Sequence, residues 1–213
     1  METTTIRADF HSFGPKLMQT SITEEFRIGL LERANKTKRD FRGNLAGHIK
    51  KEHLFSNEDD RQYFMYHTES YFHTFYDEYY RYMGLKVEAF SLESLWVNWM
   101  RNGEFNPPHV HSGDLSFVLY LDVPKEIHSE NKEYVGTHNG PGSIDFILEL
   151  EKDKKYHRGA YTFVPNSGDF FIFPATLPHM VAPFKSDVER VSVAGNIIGK
   201  NLVLANHRGG FLP

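Results

Sequence analysis

No cysteine occurs among the 213 residues. That excludes disulfide scaffolds, thiolate zinc sites and cysteine nucleophiles together, and it is compatible with a reducing compartment. Long apolar runs are missing too. No stretch approaches the roughly 20 apolar residues that span a bilayer, and residues 1–13 lack the apolar core of a signal peptide. Positive charge is not in surplus, since 24 Lys and Arg stand against 28 Asp and Glu for a net charge of −4. A chain of that charge has no global field to draw it to nucleic acid. These absences predict a soluble, cytoplasmic protein with no membrane partner and no indicated nucleic-acid partner. They do not fix the oligomeric state, and a homodimer is compatible with them.

Aromatic residues, by contrast, are abundant at 15%, with 18 Phe and 11 Tyr. With 40% hydrophobic residues there is enough material for a core without disulfides. The first ninety residues read mainly as helix. Ser21-Ile22-Thr23-Glu24 has the form of a capping box, and Ile22, Phe26 and Leu30 follow at helical spacing. Residues 35–42 read as a connection, and residues 44–55 as a short turn or helix. Residues 56–84 carry the clearest helical pattern. Tyr63, His67, Tyr71, Phe75 and Tyr79 form one stripe, Phe64, Phe72 and Tyr76 a neighbouring one, and Gly84 is a stop. Such stripes are the packing face of a helix laid on a sheet.

From about residue 88 the pattern changes to short apolar or alternating runs separated by turn residues. Strands are predicted at 94–101, 109–111, 116–123, 143–150, 161–164, 169–173, 181–183, 190–197 and 202–204. Asn139-Gly140-Pro141-Gly142 and Asn166-Ser167-Gly168-Asp169 are turn signals between them. Many short strands at such spacing predict a sandwich, barrel or jelly roll, with the preceding helices packed on one face. The polar stretch 125–141 reads as a long loop placed where it could gate a substrate.

Most of the 12 histidines lie in polar or helical surroundings (His11, His48, His53, His67, His73, His128, His138, His157 and His207) and need no special role. Three others form a pattern. His109 and His111 follow Pro107-Pro108, which disfavour helix, and residues two apart on an extended chain share a face. His179 is delivered by a proline-flanked turn after the apolar run Phe171-Ile172-Phe173. Imidazoles suit Fe, Zn, Cu or Ni. Eleven residues on, Arg190 stands in an apolar alternating strand, where a guanidinium needs an anionic partner.

On these residues the segment 96–197 resembles the iron(II)- and 2-oxoglutarate-dependent oxygenases. It is closest to a small branch common in phages and marine bacteria and related to prolyl hydroxylases. Four stretches carry the resemblance. The first is Trp96-x-Asn98 with Asn102-Gly103-Glu104-Phe105-Asn106, and the second is His109-Val110-His111 with Leu115-Ser116 and Tyr120-Leu121. The third is Gly168-Asp169-Phe170-Phe171-Ile172-Phe173-Pro174, and the fourth is His179-Met180-Val181 with Arg190-Val191-Ser192-Val193 and Asn196.

The resemblance implies an α+β, mainly β fold, a double-stranded β-helix (jelly roll) at 91–213. The helical segment 1–90 packs on one face, and the two form a single structural unit. It implies Fe(II), 2-oxoglutarate as cosubstrate, O₂, and an enzyme that hydroxylates its substrate with release of succinate and CO₂. It makes His179 the distal metal ligand and Arg190 the partner of the far carboxylate of 2-oxoglutarate. Ser192 faces the same way as Arg190 and assists it. Asn98, Tyr120 and Asn196 become pocket candidates.

The superfamily's H-x-D is H-x-H here. Either His109, His111 and His179 make a three-histidine site, or Asp114 supplies a carboxylate beside one near histidine. The first needs no loop rearrangement. The substrate is not legible, although the likeness to prolyl hydroxylases favours a peptide or protein side chain. Two rival functions remain: a three-histidine, cupin-like metalloenzyme without 2-oxoglutarate, and a non-catalytic jelly-roll binding module.

Overall fold

The computed structural model describes residues 14–136, 140–148, 159–200 and 203–204. His11, His138, His157 and His207 lie outside these residues, as do Asn139 of the predicted turn, Glu149 and Leu150 at the end of one predicted strand, and Leu202 at the start of another. Along the chain run β1 (Met18–Ser21), α1 (Glu24–Lys36), β2 (Arg39–Asp40), β3 (Glu52–Leu54), α2 (Glu58–Met83), β4 (Leu85–Lys86), β5 (Ala89–Met100) and β6 (Asn106–His109). They are followed by β7 (Leu115–Asp122), α3 (Lys125–Lys132), β8 (Ile144–Ile147), β9 (Ala160–Phe163), β10 (Asp169–Pro174), β11 (His179–Val181), β12 (Arg190–Lys200) and β13 (Val203–Leu204).

The strands form an antiparallel seven-stranded sheet in the order β1-β10-β7-β12-β5-β3-β2. A four-stranded sheet has the order β6-β11-β8-β9, and β13 pairs with β4. The period of two along each strand divides the larger sheet into two faces. Leu95, Val97, Phe117, Leu119, Phe170 and Val193 point to the outer face and meet the helices. There α2 buries Phe64, Phe72, Phe75 and Tyr76, with Phe64 stacked on Phe117 at 4.9 Å between ring centroids. Each such buried aromatic contributes about 1.5–3 kcal/mol. The stripe of Tyr63, Tyr71 and Tyr79 only flanks this contact, half-buried. On the inner face Val118, Tyr120, Phe171 and Phe173 meet Ile144 and Phe146 of the smaller sheet, and the site forms between the two layers.

Several local expectations are corrected. The cap of α1 is Thr23, whose hydroxyl accepts from the Phe26 N–H, and not Ser21. Ser21 is paired with Asp169 in the β1–β10 ladder, so the helix begins only after it. Residues expected to be helix or connection before residue 56 include β1, β2 and β3, which extend the large sheet. The predicted loop at 125–141 opens with α3, an eight-residue helix. Glu130 of α3 accepts hydrogen bonds from the N–H groups of Lys185 and Ser186 and from the Ser186 hydroxyl, so this part is a brace rather than a gate. Finally, β11 is His179–Val181 rather than 181–183, which puts the histidine inside the ladder.

Candidate active site

Cross-strand register lines up the cavity floor. Glu52 on β3 is opposite Asn98 on β5, Asn98 is opposite Ser192 on β12, and Ser192 is opposite Tyr120 on β7. These four polar residues run across the inner face of the large sheet and line one cavity with Arg190 and the histidines. The cavity measures about 50 Å³. At about 10–15 Å³ for each enclosed water it has room for roughly four waters.

Three histidines converge at one end. His109 is the last residue of β6, and His179, the first of β11, is its direct antiparallel partner. His111 lies just beyond β6, so the expected three-residue strand 109–111 is not formed. Its backbone N–H instead donates to the Ala175 carbonyl, which holds it beside the other two. Ring centroids are 4.3 Å apart for His109–His179, 4.8 Å for His109–His111 and 5.0 Å for His111–His179. One ligand nitrogen from each lies within 4.8 Å of the others, an arrangement that could hold a metal ion.

Nδ1 of His109 contacts the Pro107 carbonyl at 2.7 Å, and Nδ1 of His179 contacts the Leu177 carbonyl at 3.0 Å. A carbonyl only accepts, so each Nδ1 carries the proton and each Nε2 keeps a lone pair for a metal. Burial disfavours the charged rings. It brings His179 down to about 3 and His111 to about 4, in each case helped by neighbouring His109, and it lowers His109 as well. All three are therefore neutral imidazoles at neutral pH.

Arg190 opens β12 with 3% of its surface exposed. Its Nη1 donates to the Gly142 carbonyl at 2.7 Å, and its Nη2 contacts Met100 Sδ at 2.8 Å. The positive φ of Gly142, +73°, suits glycine at this turn. Arg190 Nε is buried without a partner, and among the described residues no carboxylate forms an ion pair with this guanidinium. Tyr120 stands beside it, with the guanidinium carbon 5.3 Å from the ring centre and the hydroxyl buried without a partner. Burial pushes that phenol up to about 12. A dry cation with unused donors and a neutral phenol beside it form a receptor for an anion. The donor set thus fits both a divalent metal and a small carboxylate-bearing cosubstrate.

Two of the candidates from the sequence do not reach the cavity. Asn196 accepts from the Ser116 hydroxyl at 2.7 Å and donates to the Ser94 hydroxyl at 3.1 Å, clasping three strands. Asp114 accepts from the Gly199 N–H at 2.6 Å and is not part of the histidine cluster. Sequence reasoning also missed Glu52, which is 1% exposed on the cavity wall. Desolvation, then the charge of nearby Glu104, raises its carboxyl to about 8. The only local signal was an acid in a short run before the long helix, which reads as surface.

The two facing sheets form a double-stranded β-helix, with a histidine cluster between them that could hold a metal ion. Residues 94–196 match the family described as "Putative 2OG-Fe(II) oxygenase". The matched segment, just under half of the chain, is similar to the Fe(II)- and 2-oxoglutarate-dependent oxygenases. Solved structures share the fold. A Pseudomonas putida prolyl-4-hydroxylase is 16% identical with a TM-score of 0.53, covering 86% of this chain and 92% of its own. The viral collagen prolyl hydroxylase from Paramecium Bursaria Chlorella virus-1, solved with 2-oxoglutarate, is 14% identical with a TM-score of 0.55, covering 85% and 94%. The epimerase SnoN, solved with Fe³⁺, α-ketoglutarate and nogalamycin RO, is 13% identical with a TM-score of 0.56, covering 92% and 88%. No curated protein matches the sequence. Among the described residues no helix is long and apolar enough to cross a membrane.

Proposed function

We propose that His109, His111 and His179 hold the Fe(II) and that Arg190, with Tyr120 and Ser192 beside it, holds the far carboxylate of 2-oxoglutarate. The observation that carries this reading is the convergence of three neutral imidazoles at one end of a cavity whose other wall holds a buried guanidinium without an anion. Bound Fe(II), 2-oxoglutarate and O₂ together supply an oxidant for a substrate C–H bond and leave succinate and CO₂. The protein's own part is position, charge and dryness. The Pro107 and Leu177 carbonyls fix the orientation of two ligand rings, and the Gly142 carbonyl and Met100 sulfur hold the guanidinium in place. Asn98 faces the cavity between the two ends as a second polar anchor.

The substrate we favour is a peptide or protein side chain, in line with the resemblance of 96–197 to the prolyl-hydroxylase branch. We place the protein in the cytoplasm, where a chain without cysteine gives up no disulfide. The test is succinate release from 2-oxoglutarate in air, with and without Fe(II) and without added substrate. Slow, iron-dependent release is expected from the wild type and none from His179→Ala. The same rate from both proteins ends the proposal.

A further inference from the structure

The cavity wall formed by β3 and β5 holds two unmatched oxygens, Glu52 Oε2 and Asn98 Oδ1, both buried and neither receiving a hydrogen bond. The two residues are direct register partners on β3 and β5. Opposed residues of antiparallel strands have Cβ atoms about 4.5–5.5 Å apart, so both oxygens can reach one small group. The charged groups that act on Glu52 are already engaged elsewhere. Buried Glu104 is satisfied by the N–H groups of Lys50 and Arg101. Arg42, whose charge acts on Glu52, is bound through Nε and Nη2 to Asp40. Arg190 lies on β12, two strand spacings or about 10 Å from β3, and its Nη groups are turned to Gly142 and Met100.

We infer that Glu52 and Asn98 bind the primary substrate through a cationic nitrogen with at least two N–H donors, an alkylammonium or a guanidinium group. This rests on the oxygenase reading of the cavity and names the substrate's chemistry within it. Two acceptors call for two donors. A hydroxyl or a secondary amide has one and would leave the other oxygen dry, at the cost of an unmade buried hydrogen bond. A cation also favours the ionised form of Glu52, which burial otherwise keeps protonated, and a neutral donor does not. Such a group fits the side chain of a basic residue in a peptide and equally a free amine.

The test uses protein loaded with Mn(II), which replaces iron without turnover, and 2-oxoglutarate. The probes are n-butylammonium, methylguanidinium, butan-1-ol, butyrate and an N-acetylated, C-amidated Gly-Lys-Gly peptide. Binding is read from the melting temperature and from the fluorescence of Trp96, which lines the same cavity. The wild type should respond saturably to the cationic probes and not to the alcohol or the acid. Glu52→Gln, checked as folded by circular dichroism, should weaken the cations about tenfold or more, and Glu52→Asp should recover part of the loss. A peptide tighter than butylammonium assigns the source to polypeptide and the reverse assigns it to a free amine, and either upholds the class. Equal binding of butan-1-ol, equal binding of the cations by Glu52→Gln, or a loaded wild type indifferent to all the cations overturns the inference. Failure to bind Mn(II) and 2-oxoglutarate in the first place would count against the oxygenase assignment instead.

Discussion

His179 is the ladder partner of His109: antiparallel β11 and β6 hold the two residues directly opposite one another, with ring centroids 4.3 Å apart. The third member, His111, lies beyond the end of β6 and outside the ladder, with its backbone N–H donating to the Ala175 carbonyl. In the proposed metal site, that asymmetry makes His111 the position at which the ligand type can be exchanged. His111→Asp should retain Fe(II) through desalting and keep succinate release within about tenfold of the wild type, because a carboxylate completes the common two-histidine facial set. His111→Ala should lose at least about tenfold in metal affinity, the smaller effect known for changes beyond the ligands themselves. Equal iron retention by His111→Ala and wild type removes His111 from the ligand set.

Arg190 carries a buried charge with no anionic partner among the described residues, and such charges cost stability. Replacing it with an apolar residue of similar reach, Arg190→Met, should raise the melting temperature of the ligand-free protein. Exchange of buried ionic groups for well-packed apolar ones is neutral or stabilising by about 1–4 kcal/mol. The same variant should lose the stabilisation that 2-oxoglutarate gives the metal-loaded wild type. Thermal melts with and without 2-oxoglutarate check both limbs together. A variant less stable than wild type in the absence of ligand, yet still stabilised by 2-oxoglutarate, contradicts the role assigned to the guanidinium.

The sheet core was legible because period-two runs such as Phe117, Leu119 and Leu121 are long enough to mark their own faces. His109, His111, His179 and Arg190 were legible because their residue types are costly or chemically marked in apolar strands. Short elements were not. Glu52-His53-Leu54 becomes a strand only because β5 supplies a neighbour, and three residues carry no period of their own. Asn196 was misread for a related reason. A buried amide two residues from cavity-facing Ala194 continues the same face, but the cavity ends there and the register with β5 shifts between Asn196 and Ile197. Sequence shows the face of a strand and not how far along it a cavity extends.

The clasp formed by Asn196 leads to a separate expectation. Asn196→Ala would leave the Ser116 hydroxyl, buried on the central strand β7, without its acceptor and would free the Ser94 hydroxyl. A buried polar group left unsatisfied costs about 1–3 kcal/mol. The variant should melt at lower temperature and unfold at lower urea, while its affinity for 2-oxoglutarate stays that of the wild type. Weakened 2-oxoglutarate binding with unchanged stability would return Asn196 to the binding pocket.

The stability of the metal-free protein should have a pH maximum near neutrality, set by the histidines on one side and Glu52 on the other. In the unfolded chain a histidine titrates near 6.5, whereas folding holds His111 at about 4 and His179 at about 3 and lowers His109. Below pH 6.5 the unfolded state therefore takes up protons that the folded state refuses, and stability falls as the pH drops toward 4. Glu52 acts in the opposite sense. Its carboxyl ionises near 4.5 when unfolded but at about 8 in the folded protein, so it removes stability as the pH rises between those values. Each group contributes a slope of up to about 1.4 kcal/mol per pH unit. Between 4.5 and 6.5 three histidines outweigh one glutamate, and above 6.5 Glu52 acts alone. Glu52→Gln should abolish the decline between pH 6.5 and 8 and leave the acid limb intact, whereas bound metal, which holds the imidazoles neutral, should add stability that is lost as acid displaces it. Urea denaturation across this range, with and without Mn(II), measures each limb. An alkaline limb that persists unchanged in Glu52→Gln shows that Glu52 is not the group that keeps its proton in the folded state.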